Sequence, residues 1–302
     1  MLHAPSCRTA GQTRSYSKFG LHVGPDQIID RSYSYPDSAS IMAPFFANRS
    51  CDPFTDPGYG CVLGTYVQYS INVSSPADVA AGIRFSNDRN IRLVIRNTGH
   101  DYNGKSTGAG ALGLWMQNLK STEIKDWSDE HYTGKAIKMA AGVLGGEAYA
   151  AADAAGLQVV GGECPTVGLA GGYTQGGGHS ALSSRHGMAA DQALEWEVVT
   201  GTGEHLIANR EKNTDLYWAL SGGGGGTYGV VLSLTSKAHP DVPTSGATLS
   251  FTSANVSKDA YYEAISTFHS SLSKSADAGI MSVWYVPILL MKLHMLNQPT
   301  LT

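Results

Sequence analysis

From Gly156 to Ala190 the chain reads GLQVVGGECPTVGLAGGYTQGGGHSALSSRHGMAA, and this segment limits the fold more than any other. Glycine at this density sustains neither a long helix, where each residue costs about 1 kcal/mol relative to alanine, nor a regular sheet, where it offers no side chain to pack. What such backbone does well is turn tightly and approach a ligand closely. The 36 glycines of the 302-residue chain fall in short clusters with no collagen-like period. Hydrophobic residues make up 42%, enough for a packed core, and the formal net charge of -4 with no basic run argues against a nucleic-acid partner.

The rest of the pattern is mixed α+β with short helices. YVQYSINV, from Tyr66, reads as a strand. SSPADVAAGIRFSNDRN reads as a helix, with Ser74 or Ser75 as N-cap and Pro76 in the first turn. IRLVIR is a strand, GLWMQNLKSTEI alternates as another, KAIKMAAGVL is a strand and GGEAYAAADAAG a helix. After the glycine-rich stretch, LEWEVVTG and EHLIAN read as strands joined by a Thr202-Gly203 turn. NTDLYWALSG is a short helix and TYGVVLSLTSKAHP a strand. Beyond Pro240 a new unit begins: GATLSFT as a strand, an amphipathic helix SKDAYYEAISTFHSSLSK with Tyr261, Ile265, Phe268 and Leu272 on one face, and GIMSVWYV as a strand. No stretch is long and apolar enough for a membrane span, since PILLMKLHML is short and broken by Lys292 and His294.

The GxGxxG spacing occurs twice, at Gly108–Gly110–Gly113 and at Gly224–Gly226–Gly229. A Rossmann domain requires a strand before that loop and a helix after it. Here both loops lead into strands and the second follows a helix, so the context is wrong. Two readings of the glycines stay open: tight turns in a compact sheet protein, or several loops that converge so that their backbone N–H groups hold a diphosphate. Cys51 and Cys61 flank CDPFTDPGYGC, a loop short enough to close as a small disulfide, the alternative being two reduced thiols. Sequons at Asn48, Asn72 and Asn255 favour a secretory origin, although the first twenty residues hold no apolar signal-peptide core. No cysteine pair has zinc spacing, and His179 and His186 lack carboxylate or cysteine partners nearby, so they read as loop histidines rather than a metal site.

Three segments together carry a resemblance. IRLVIRNTGHDYNGKSTGAGALGLW, VVGGECPTVGLAGGYTQGGGHSALSSRHGMAADQALEWEVVTGTGE and NTDLYWALSGGGGGTYGVVLSLTSKAHP are similar, in order and spacing, to the three flavin loops of berberine-bridge-type oxidases of the vanillyl-alcohol-oxidase group. ASIMAPFFANRSCDPFT resembles the lead-in of fungal members, and the match runs over about residues 37–286. The resemblance implies a PCMH-type FAD-binding domain of two α+β subdomains over residues 61–240, after an irregular lead-in at 1–60. An incomplete α+β substrate domain would follow at 241–286, with an aberrant tail at 287–302. It implies covalent FAD, with His100 on the flavin 8α-methyl and Cys164 on C6. A neutral imidazole and a thiolate are side chains with the nucleophilicity for such bonds. Cys164 follows His100 by 164 − 100 = 64 residues, room for a strand and a helix between the loops.

Around His100 the resemblance assigns flavin contact to Arg96, Asn97, Thr98, Gly99, Asp101 and Tyr102. Around Cys164 it assigns Gly162, Gly168, Gly172, Gly176, Gly177, Gly178 and His179, and in the third loop Gly229 and Val230. The implied chemistry is hydride transfer from a small-molecule substrate to flavin, with O₂ as acceptor, on a specialised metabolite such as an ergot-type alkaloid. A carbohydrate oxidase and a non-catalytic remnant are the competing readings. The resemblance implies a secretory or extracellular location, without a signal peptide in this sequence. No catalytic base is nominated, because the segments that would carry it have no counterpart in this sequence. PILLMKLHMLNQPTLT continues no pattern, and the expectation is a truncated, catalytically impaired chain.

Overall fold

The computed structural model describes residues 64–244, 247–284 and 286. Cys7, Cys51 and Cys61, and with them the expected 51–61 bridge, lie outside the described residues, as does Asn48. The chain divides into two compact units between Gly246 and Ala247.

The first unit opens with β1 (Tyr69–Asn72) and α1 (Pro76–Arg89), and the helix starts where the sequence places it. Ser75 caps it, its hydroxyl accepting from the Asp78 N–H, and Asp78 in turn accepts from the Ser74 N–H at 2.9 Å. Asn90 ends it in the left-handed conformation at φ 52°. α1 buries Val79, Gly82, Ile83 and Ser86. Burial of Val79 and Ile83 contributes roughly 1.5–3 kcal/mol each. Gly82 lets the helix lie close to the sheet, because a Cβ there would stand 2.8 Å from Leu114 Cδ2. Beneath it β1, β3 (Leu112–Trp115) and β2 (Leu93–Arg96) form a parallel sheet in that order.

GLWMQNLKSTEI is not one strand. The chain leaves the parallel sheet at Trp115, turns with the Leu119 N–H donating to Met116 O at 3.3 Å, and enters a second sheet as β4 (Thr122–Ser128). Alternation with period two does not distinguish a continuous strand from two collinear ones in different sheets. The second sheet is antiparallel, in the order β4, β5 (Thr133–Ala140), β9 (Val230–Lys237), β7 (Ala193–Val199), β8 (His205–Asn209). Its first hairpin is closed by Asp129, whose carboxylate accepts from the His131 and Tyr132 N–H groups at 2.8 and 2.6 Å. The β7–β8 turn is the expected one, with Gly203 at φ 86°.

Between β5 and β7 run α2 (Gly145–Asp153), the two-residue β6 (Leu157–Gln158), a π-type turn at Leu169–Tyr173, and the single-turn helices α3 (Ser183–His186) and α4 (Ala189–Gln192). The glycine-rich stretch thus holds no long element. α5 (Thr214–Leu220) precedes β9, and β10 (His239–Pro240) pairs antiparallel with β6. One core lies between the large sheet and its helices, around Ile137, Met139, Trp196, Leu220 and Leu234. A second joins the sheets, with Val79, Ile83 and Leu114 against Val199, Val230 and Leu232. Asn72, of the second sequon, is exposed and hydrogen-bonded to Asn118.

The second unit is built on α6 (Lys258–Asp277), capped by Ser257, which accepts from the Ala260 N–H at 3.1 Å. Its least exposed positions include Tyr261, Ile265, Phe268 and Leu272, the face read from the sequence, yet none is fully buried. The strands expected on either side are absent: residues 247–252 and 279–284 carry no strand pairing. Apolar, β-prone sequence becomes strand only when a neighbour takes up its backbone N–H and C=O groups, and no such neighbour exists among the described residues. No helix there is long and apolar enough to cross a membrane.

Candidate flavin site

The site is made where loops from both sheets meet. The first loop leaves β2 at Arg96, whose side chain is fully buried. Thr98 is buried and Gly99 takes φ 77°, which aims the chain so that His100 is half-buried rather than outward. Asp101 shapes its own loop, accepting from the Lys105 N–H at 2.7 Å and from the Ser106 hydroxyl. Tyr102 is exposed.

The second loop carries Cys164 and is fastened to the first turn of α2. Gly145 N–H donates to Val167 O and Gly146 N–H to Pro165 O, both at 2.8 Å. The Tyr149 hydroxyl, on the same helix, donates to the buried Gly162 carbonyl. Burial, and then the neighbouring Cys164, push the Tyr149 phenol up to about 12.

His100 and Cys164 meet through a residue the sequence reading passed over. Thr166 Oγ1 lies 2.9 Å from His100 Nε2 and 3.4 Å from Cys164 Sγ. Burial holds the His100 imidazole down to about 4, with Asp101 opposing and Arg96 adding to the shift. The ring is therefore neutral near pH 7 and keeps a nucleophilic lone pair. No signal marks Thr166 in the sequence, since a threonine in a glycine loop reads as an ordinary turn residue.

Asn97 locks the first two loops together. Its amide Nδ2 donates to Ala141 O, and its side chain is clasped by two glycines: a Cβ on Gly168 would stand 2.5 Å from Asn97 Oδ1, and one on Gly171 2.6 Å from Nδ2. Asn97 Oδ1 is a buried acceptor with no partner among the described residues. The third loop docks on the second through Gln175, another residue the sequence reading missed. Its carbonyl accepts from Gly224 N–H at 2.7 Å and its side-chain Oε1 from Gly226 N–H at 3.4 Å. Gly225 rests on Gly172, where a Cβ would come within 2.7 Å of the Gly172 Cα. The glycine loops pack on one another, and glycines such as Gly99, Gly178 and Gly203 also make left-handed turns.

The remaining expected contacts divide. Gly172 and Gly176 are exposed, and a Cβ on Gly172 or Gly177 would meet nothing within 4 Å, so this backbone faces open space. Gly178, at φ 66°, packs on Tyr173, whose hydroxyl donates to the carbonyl of exposed His179 at 2.7 Å. Gly229 is a glycine because of β7, where a Cβ would stand 2.6 Å from Val198 Cγ2; Val230 begins β9 and is buried in the core. His186 stacks on His239 with ring centroids 3.8 Å apart, and His239 Nε2 shares a 2.8 Å hydrogen bond with Gln192 Oε1. Among the described residues no group of three or more His, Cys, Asp or Glu is placed to hold a metal ion.

Both GxGxxG loops lead into strands, β3 and β9, and neither opens a helix. Two nucleophilic side chains share one hydroxyl, and the backbone at Gly172 and Gly177 is open, features compatible with a flat ring system that carries a diphosphate tail. Fold and site define a flavin-binding domain. A family model described as an FAD binding domain matches residues 67–209. FAD-linked oxidoreductase sthB of Phaeosphaeria nodorum is 51% identical over 247 residues, which cover 82% of this chain and 78% of that protein. The chain belongs to the FAD-linked oxidoreductases of the vanillyl-alcohol-oxidase and berberine-bridge-enzyme family. The crystal structure of VAO-type flavoprotein MtVAO615 from Myceliophthora thermophila aligns with a TM-score of 0.75 at 49% identity, over 82% of this chain and 46% of that one. Berberine bridge enzyme from Eschscholzia californica aligns with a TM-score of 0.51 at 27% identity, over 58% and 34%. Other curated fungal relatives, 51–55% identical, are spanned over only 42–46% of their length.

Proposed function

We propose that this chain is the flavin-binding part of an FAD-dependent oxidase of specialised metabolism, with FAD bonded through His100 at the 8α-methyl carbon and through Cys164 at C6. The observation that carries the reading is the Thr166 hydroxyl shared by the two side chains, which brings both nucleophiles to one ring-sized region. When bound, FAD supplies the acceptor for a hydride from a substrate C–H, and O₂ takes the electrons in turn. The chain's own part is to hold and tune. Burial keeps the His100 lone pair available, Asn97 fixes the two loops relative to each other, and the open backbone at Gly172 and Gly177 suits a diphosphate.

In this reading residues 61–240 are the flavin domain and 241–286 open the substrate domain. A small alkaloid is the favoured substrate class. Berberine bridge enzyme, a structural relative, has been solved with (S)-reticuline.

Acid precipitation of the folded protein tests the linkage. Yellow colour should stay with the wild-type pellet, and His100→Ala combined with Cys164→Ala should release all of it. Complete release from wild type would overturn the covalent assignment. A peroxide-detecting screen of alkaloids, sugars and other alcohols tests the substrate class, and turnover of sugars alone would replace the alkaloid reading.

A further inference from the structure

We propose that Asn103–Gly104, in the exposed turn three residues beyond His100, is a site of spontaneous modification: the Asn103 side-chain amide is lost as ammonia, and the isoaspartate left behind opens the Asp101 clasp that shapes this loop. Asn103 is the one asparagine of the chain followed by glycine. Glycine carries no Cβ, so its backbone nitrogen is open to approach, and Gly104 sits without strain at φ 68°. The Asn103 side chain is exposed, and neither it nor the Gly104 N–H has a hydrogen-bond partner among the described residues. Asn97, Asn118, Asn209 and Asn213 differ on both counts. Each donates its side-chain amide to a fixed acceptor, and each is followed by a residue with a side chain.

The step is intramolecular. The Gly104 nitrogen attacks Asn103 Cγ and gives up its proton; a C–N bond forms, the bond from Cγ to Nδ2 breaks, and the side-chain nitrogen leaves as ammonia. Water then opens the five-membered imide. Opening at Cγ gives aspartate, and opening at the main-chain carbonyl gives isoaspartate, whose backbone runs through Cβ and Cγ. The sum is one water taken up and one ammonia released, with nothing oxidised. Isoaspartate lengthens the chain by one methylene, about 1.5 Å. The Lys105 N–H donates to Asp101 Oδ2 at 2.7 Å, and the Ser106 hydroxyl donates to Oδ1. Both bonds span the altered link. A displacement of about 1.5 Å carries an N–H···O contact past its outer limit of about 3.2 Å. Where His100 bonds flavin, as proposed above, the modified loop loads it more slowly. That consequence rests on the attachment reading; the modification itself does not.

The test ages three full-length proteins in warm, mildly alkaline buffer. They are wild type, Asn103→Gln, whose longer side chain closes the imide ring far more slowly, and Asn103→Asp, which adds the charge without lengthening the chain. Peptide mass spectrometry measures amide loss at each asparagine, and isoaspartyl methyltransferase labels the isoaspartate. Hydrogen exchange of the Lys105 amide reads the clasp, and acid-stable flavin is measured on the same samples. In wild type, Asn103 should convert ahead of every other asparagine. Lys105 exchange should rise, and flavin loading fall, in step with the label. Asn103→Gln should stay unlabelled at this position with constant exchange, and fresh Asn103→Asp should exchange like fresh wild type. Conversion of Asn103 no faster than that of Asn87 or Asn255 would overturn the site. Unchanged Lys105 exchange in labelled protein, or fast exchange in fresh Asn103→Asp, would overturn the opening of the clasp by chain lengthening. Conversion with the expected exchange, in wild-type protein that never holds flavin in acid, would uphold the site and remove the attachment assignment.

Discussion

Gly142→Ala should be among the most damaging single-methyl changes in the first unit. Gly142 follows β5 and packs against the chain as it leaves β3. A Cβ there would stand 2.1 Å from Gln117 O, 2.5 Å from Gln117 C and 2.8 Å from Met116 O. All three are backbone atoms, so no side chain can rotate away. Restoring even a 3.0 Å approach requires a shift of about 0.9 Å (3.0 − 2.1). Three contacts hold the two segments in place: Gly142 N–H to Leu119 O at 2.8 Å, Gln117 Nε2 to Gly142 O at 3.0 Å, and Asn97 Nδ2 to Ala141 O. A shift of that size breaks the first two, at about 1 kcal/mol each, and overpacking adds about 1–3 kcal/mol. The expected loss is about 3–5 kcal/mol, a large share of the roughly 5–15 kcal/mol that stabilises a typical domain. Urea unfolding followed by tryptophan fluorescence gives the difference directly. A loss below about 1 kcal/mol, with an unchanged denaturant slope, would show that this junction yields and that the rigid-backbone argument is wrong.

Gly172→Ala is the counterpart, because its Cβ meets nothing within 4 Å. Its unfolding midpoint should stay within about 0.5 kcal/mol of wild type, while flavin retention on desalting falls; unchanged loading would remove Gly172 from the cradle. Trp196→Ala deletes a fully buried side chain and its 3.1 Å bond to Ser221 Oγ, and should cost about 3–5 kcal/mol by the same unfolding measurement. Burial, and then His186 and Lys237, hold His239 down to about 4 in the folded chain. The unfolded chain therefore takes up this proton first as the pH falls, so the contribution is complete above about pH 6.5 and lost toward pH 4. At full burial that interval corresponds to about 3 kcal/mol, and the partly exposed ring keeps on the order of 1 kcal/mol of it. His239→Gln should flatten the fall in stability over this interval, and an equally steep fall in the variant would locate the proton elsewhere.

Where the sequence signal was local, the reading and the structure agree. Ser75, Pro76 and Asp78 announce the start of α1 through capping chemistry that needs nothing from the rest of the fold. The 3.6 period of Tyr261, Ile265, Phe268 and Leu272 selects the less exposed face of α6. Glycine density correctly excluded long elements from 156–190. Where the outcome depended on distant chain, the reading failed. The crossing from one sheet to the other near Leu119 is set by which strands lie alongside, and β4 finds β5 while β3 finds β1 and β2. Residues 247–252 and 279–284 have strand-like composition but no pairing. At the site, motif resemblance supplied His100 and Cys164. It could not supply Thr166 or Gln175, whose roles arise only when loops far apart in sequence are laid against each other.

The attachment of the cysteine loop to α2 bears on the order of events. The first N–H groups of a helix usually point outward and recruit an anion; those of Gly145 and Gly146 are spent on the carbonyls of Val167 and Pro165. The loop around Cys164 is thus finished as part of folding, and its curvature does not wait for an arriving molecule. A flavin bound here as proposed would lose its own freedom without also having to order the loop it meets. The amides of Gly145, Gly146 and Val167 would then resist hydrogen exchange equally in empty and loaded protein, a record of scaffolding that precedes its cargo.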